Sequence, residues 1–159
     1  MKKLLSCVLT LAMVFSLSIS CFAQEVPVQN VQSLVVTTEN LGNGITVETK
    51  TTVYNTYSVL SAVSTRSASQ TKTYKANGAT VGTATLNASF GYNGSSAWVT
   101  SKSAAHTTAS GWSYGSESLT ASGNTANLSA LLTQRSGNII TGTVDVDVSL
   151  TCSPSGQIS

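Results

Sequence analysis

Asp145 and Asp147 stand two residues apart, the one close pair of carboxylates in the chain. On a β-strand residues i and i+2 share a face, so the two groups project side by side about 7 Å apart at the backbone. A pair of that kind has the chemistry of a glycosidase acid and nucleophile, with Glu48 or Glu117 as further carboxylates, or of an oxygen donor set for Ca²⁺. A hydrolase needs its pair facing across a cleft, however, and Ca²⁺ needs more oxygens close by. The structural reading is a charged outer face that discourages edge-to-edge pairing. His106 is the only histidine, so no histidine cluster can bind zinc. No Gly-x-Ser-x-Gly elbow singles out a serine for a triad. No glycine-rich phosphate loop joins a strand to a helix. The expectation is a non-enzymatic chain with no metal and no cofactor.

Aromatic residues offer a different chemistry. Trp98, Trp112, Tyr92 and Tyr114 are the candidate ligand-binding set. If Ala97 and Val99 face the core, Trp98 faces outward, and an exposed aromatic can stack on a sugar ring while neighbouring amides and hydroxyls bond its hydroxyls. Trp112 and Tyr114 are in phase and would form a second platform. Core or sheet-edge packing is the competing role for all four.

The elements that must position these residues are strands. From Ile139 onward, Ile140, Val144, Val146, Val148, Leu150 and Cys152 fall on one face, with Gly142 among them. Thr141, Thr143, Asp145, Asp147, Ser149 and Thr151 fall on the other. This period of two predicts a half-buried strand with Cys152 inward. Ala84, Leu86, Ala88, Phe90 and Tyr92 repeat the pattern. So do Ala126, Leu128, Ala130 and Leu132, and Ile45, Val47, Thr49, Thr51 and Val53. No window keeps a helical period. Asn43-Gly44, Asn77-Gly78 and Asn93-Gly94 predict tight hairpin turns, and Gly123-Asn124 and Gly137-Asn138 mark further breaks. The run 56–73 is ambiguous, because both faces carry small polar residues. The prediction is an all-β chain: a single antiparallel β-sandwich, immunoglobulin-like or jelly-roll-like, of about seven to nine strands. Residues 41–159 form the sandwich, and residues 24–40 form an N-terminal linker or edge strand.

Residues 1–23 read as a signal peptide. Lys2 and Lys3 precede an apolar run from Leu4 to Ile19, and Ala23 suits the position before a cut. Lipidation at Cys21 is the less favoured alternative, because Ser18 stands where a lipobox wants an aliphatic residue. Without that segment six basic residues balance six acidic ones, so no basic patch remains to track phosphates or an anionic membrane. No membrane span is expected. Serine and threonine supply 44 of the remaining residues, so hydroxyls rather than ions cover the surface. Cys7 and Cys21 lie in the targeting segment, which leaves Cys152 as a lone, buried free thiol.

Three segments carry a resemblance: Gly44-Ile45-Thr46-Val47-Glu48-Thr49, Phe90-Gly91-Tyr92-Asn93-Gly94-Ser95-Ser96-Ala97, and Ser149-Leu150-Thr151-Cys152-Ser153. With them, most of residues 40–159 resembles a group of small secreted all-β proteins of Gram-positive bacteria that has no assigned activity. The resemblance implies export and a β-sandwich, and it transfers no catalytic residue. Proteins of this look often have a second cysteine soon after the Asn-Gly turn, able to pair with the C-terminal one. Here the neighbourhood reads Ala97-Trp98-Val99, and the resemblance implies that this member lacks the staple. The expected role is a secreted, extracellular module that recognises a cell-surface glycan or protein. A self-assembling matrix protein is the alternative, and a secreted hydrolase and a β-pore former are the minor ones.

Overall fold

The computed structural model describes residues 30–55 and 63–159. The expected signal peptide, with its cut after Ala23, and the lipidation alternative at Cys21 lie outside the described residues. The described chain is all-β, with no helix. Its strands are β1 (Asn30–Gly42), β2 (Ile45–Asn55), β3 (Ser64–Ala76), β4 (Ala79–Tyr92), β5 (Ala97–Thr108), β6 (Trp112–Ser122), β7 (Thr125–Ser136) and β8 (Ile139–Thr151). They form two antiparallel sheets, a five-stranded sheet in the order β1-β2-β3-β4-β5 and a three-stranded sheet in the order β6-β7-β8. Both sheets therefore follow chain order as a meander. The immunoglobulin-like and jelly-roll-like topologies are corrected by this finding, since each requires Greek-key crossings. Short hairpin turns join spatial neighbours and leave no segment long enough for such a crossing between β3 and β8.

Alternation builds the core. Ala84, Leu86, Ala88 and Phe90 of β4 meet Ala126, Leu128, Leu132, Val146, Val148 and Leu150 of the smaller sheet, all of them buried. Each large apolar side chain so buried contributes roughly 1.5–3 kcal/mol before chain entropy is set against it. Gly82 lets the two layers approach closely: a Cβ there would lie 2.9 Å from a methyl of Leu132. The outer faces are paved instead with hydroxyl pairs between neighbouring strands, Ser67–Ser89 at 2.9 Å, Thr71–Thr85 at 2.9 Å, Thr83–Thr107 at 2.7 Å and Thr125–Thr151 at 3.0 Å. Such pairs satisfy each other across the ladder and need no charge to keep the surface wet.

Asn43-Gly44 and Asn77-Gly78 hold positive φ at both residues (51° and 73°, 48° and 84°), as a two-residue hairpin turn with the strands' twist requires. The Asn93-Gly94 expectation is corrected. There only Gly94 has positive φ, and the Asn93 side chain accepts from the amides of Ser95 and Ser96, which makes a longer loop organised by one carboxamide. Ile140 is also corrected, being 53% exposed. A register shift between Gln134 and Arg135 falls opposite it, at the projecting tip of the β7–β8 hairpin. Asn30–Gly42 is an edge strand paired to β2. Of the ambiguous run, Ser64 onward is β3, and 56–62 lie outside the described residues.

Candidate functional site

The two long sides of this sandwich differ. On one side the sheets are stapled together. A three-residue crossing from β5 to β6 is closed by the Ala109 amide on the Val81 carbonyl (3.0 Å), and the Val99 amide donates to Gly123 of the β6–β7 turn (3.1 Å). Between those staples the His106 imidazole stacks on the Tyr114 ring, with centroids 3.9 Å apart and planes 9° from parallel. Glu117 completes the cluster, its carboxylate 3.7 Å from His106 Nδ1. Burial first, and then the Glu117 charge, push the Tyr114 phenol up to about 12. The approach of its hydroxyl to Glu117 falls short of a full hydrogen bond.

On the other side the sandwich is open. The three-stranded sheet lies over β3, β4 and β5, so β2 and β1 extend past its edge, with Val47 and Val53 of β2 still buried against the core. β8 is the last strand of its sheet and presents an unpaired edge to this overhang. Between them runs a groove of about 690 Å³, floored by Val47, Lys72 and Tyr74, walled by Thr141 to Asp147, and ended by Trp112 and Gln134. It continues into a second hollow of about 480 Å³ past Thr49, Gln70 and Ser149, with Lys72 and Asp147 shared between the two. The strand wall from Thr141 to Ser149 gives the groove a length of about 27 Å.

Local sequence explains the floor. Register pairs Lys72 with Ala84 and Gln70 with Leu86, which places both polar side chains on the inward face of β3 beside buried Ala68 and Tyr74. Polar groups tolerate that face because no strand of the smaller sheet covers it fully and because the Gln70 amide donates to the Thr51 hydroxyl at 2.9 Å. Tyr74 is almost wholly buried, at 1% exposure. Burial first, and then the Asp147 carboxylate, push its phenol above the ordinary tyrosine value, while the Asp147 main-chain amide pulls the other way. Three carboxylates (Glu39, Asp145 and Asp147) and one ammonium (Lys72) line or rim the groove, so its field is net negative.

The four aromatic candidates do not converge. Trp112 ends the groove and is half-buried. Tyr114, on the same face of β6, is engaged by His106. Trp98 lies flat over Gly91 on the outer face of the larger sheet, where a Cβ on that glycine would come within 2.6 Å of the indole. Tyr92 is covered by Gly156 of the C-terminal tail, and the Arg66 guanidinium lies 6.0 Å from its ring centre. Asp145 and Asp147 are exposed neighbours on one strand. Glu48 pairs with Lys75 (3.0 Å), and Glu117 sits on the stapled side, so neither joins them. Cys152 is fully buried and free; burial pushes its thiol up, and Arg66 partly offsets this. Among the described residues no group of three His, Cys, Asp or Glu side chains is placed to hold a metal.

Sequence reasoning does not single out Lys72, Gln134, Glu39, Thr141 or Thr143. A signal for Lys72 exists, a polar pair with Gln70 at inward positions. That these face a gap depends on the smaller sheet having three strands, which no local pattern encodes. No protein-family model, curated protein or solved structure matches the chain.

Proposed function

We propose that this chain is an exported, non-enzymatic recognition module that holds a neutral or amino-sugar polysaccharide along the groove beside β8. The observation that carries the reading is the groove's form: an open channel running lengthwise along a strand edge, with a half-buried tryptophan at its end. An extended chain fits a channel of this length better than a compact metabolite does. Trp112 supplies a ring face for a pyranose, and Gln134, Thr141, Thr143, Lys72 and the unpaired main chain of β8 supply donors and acceptors for hydroxyls. Three carboxylates against one ammonium disfavour uronic, sialylated or phosphorylated glycans and favour neutral or cationic ones. Two carboxylates adjacent on one strand do not straddle a glycosidic bond, which supports binding over cleavage.

Calorimetric titration with chito-oligosaccharide, partly deacetylated chito-oligosaccharide and oligogalacturonate tests the reading. Expected is binding of the first two and not the third, weakened about tenfold or more by Trp112→Ala, a loss of about 1.4 kcal/mol, and unaffected by Trp98→Ala. Absence of binding by all three, or equal effects of the two tryptophan variants, would overturn it.

A further inference from the structure

Among the described strands, the outermost strands β5, β6 and β8 each carry a device against pairing in mid-strand. β5 has Lys102 and His106, β6 has a bulge at Ser116 (φ 54°) beside Glu117, and β8 has Asp145 and Asp147. Charges and bulges of this kind keep edges from joining other sheets. β1 lacks them. Its sequence holds a single charge, Glu39, and no proline. Val31, Leu34, Val35, Val36 and Leu41 on it are exposed, the other exposed large hydrophobics of the described residues being Ile139 and Ile140. Val35 is 55% and its neighbours Leu34 and Val36 each 53% exposed.

We propose that β1 pairs with β1 of a second copy, antiparallel, about a two-fold axis through Val35. The sequence is self-complementary about that residue. Val35 meets Val35, Leu34 meets Val36 and Thr37 meets Ser33, all within the unbroken register of β1, so apolar residues face apolar ones at the centre and the two Glu39 carboxylates stay apart. Register with β2 puts Val35 beside Thr51 on the inward face and Leu34 and Val36 on the outward face, so the contact closes over apolar side chains on both surfaces of the joined sheet. A second copy is the favoured partner because this complementarity belongs to the strand itself and the interface is isologous. The result is one ten-stranded sheet.

The axis runs perpendicular to that sheet, so both inward faces lie on the same side. The two overhangs then merge into one trough whose floor runs from β3 of one copy to β3 of the other, a width of about 24 Å at the strand spacing, with a β8 wall on each flank. Assigning the trough to a polysaccharide rests on the proposed function; the pairing of β1 rests on the edge alone. A single strand edge buries less than a standard interface of about 800 Å² per partner, so the dimer is reversible.

Sedimentation velocity and oxidative cross-linking without any glycan test the pairing independently of binding. In a full chain with Cys7→Ser and Cys21→Ser, Val35→Cys places two thiols about 5 Å apart at Cβ and is expected to give a disulfide dimer. Thr38→Cys lies six residues from its own mate, about 20 Å, beyond disulfide reach, and is expected to stay monomeric. Val35→Lys sets two ammonium groups face to face on the axis and is expected to weaken association about tenfold or more, whereas Ile140→Lys leaves it unchanged. Unaltered thermal melting of Val35→Lys shows that the fold survives, as its exposure predicts. A wild-type chain that stays monomeric across the micromolar range, or equal cross-linking at 35 and 38, overturns the proposal.

Discussion

Gly156 is the residue at which the C-terminal tail is locked onto the sandwich, and replacing it gives a quantitative check on the packing. The tail folds back on the end of β8 through reciprocal main-chain bonds between Thr151 and Ser159, at 2.8 and 3.0 Å. Gly156 then lies face-on against Tyr92, with φ +81°. An alanine Cβ would fall 2.6 Å from Cε2 and 2.8 Å from Cε1 of that ring. Left-handed backbone alone costs a non-glycine residue roughly 1–2 kcal/mol. Moving the ring away also loosens the Arg66 bond to the Gly156 carbonyl, 2.8 Å long, and a hydrogen bond to a charged group contributes roughly 1.5–3 kcal/mol. Gly156→Ala is therefore expected to destabilise by about 2.5–5 kcal/mol. Gly94 is the matched control: its φ is +86°, and a Cβ there would meet nothing within 4 Å, so Gly94→Ala should lose only about 1–2 kcal/mol. Urea unfolding of the two variants side by side cancels the backbone contribution. Equal losses would show that the tail does not seat on Tyr92 and would refute the reasoning.

Three further outcomes follow from the same structure. Tyr74 and Tyr114 ionise later than an ordinary tyrosine near 10, Tyr114 at about 12; because both folded values are raised, the stability they contribute is intact below about pH 10 and is lost as pH rises through the folded values. Ultraviolet tyrosinate titration of the native chain against the urea-unfolded chain checks this, and a single transition near pH 10 in both would contradict it. Phe90→Ala removes a wholly buried ring between the sheets and should destabilise by about 3–5 kcal/mol, read as a shifted urea midpoint. Cys152, wholly buried, should react with an aromatic disulfide probe only after unfolding; native-state labelling at the rate of a free thiol would show that the tail does not cover it.

The two-residue period makes most of this fold legible, and particular residues show where legibility stops. The inward set of β4 and β7 can be read because each strand is covered along its length, so burial and alternation agree. Ile140 cannot, since its burial depends on how far a hairpin tip projects past the opposing sheet. Topology escapes for a related reason: turn residues specify hairpins but not how many strands each sheet holds, and the division into five and three creates the overhang. Type and phase mark Trp112 as a ligand candidate, yet nothing in its neighbourhood separates it from Trp98. The difference arises at long range, where the indole of Trp98 has Gly91 to lie on and that of Trp112 has a gap.

Those two indoles also provide the most direct test of the central claim, that this groove is where the protein meets its ligand. They are the only tryptophans in the chain, so each gives one side-chain N–H resonance in a heteronuclear spectrum. Titration with chito-oligosaccharide should shift the Trp112 signal and the amides from Thr141 to Ser149 while Trp98 and the hydroxyl-paved outer face stay still. Movement of Trp98 with Trp112 unmoved would place recognition on the opposite surface and contradict the account.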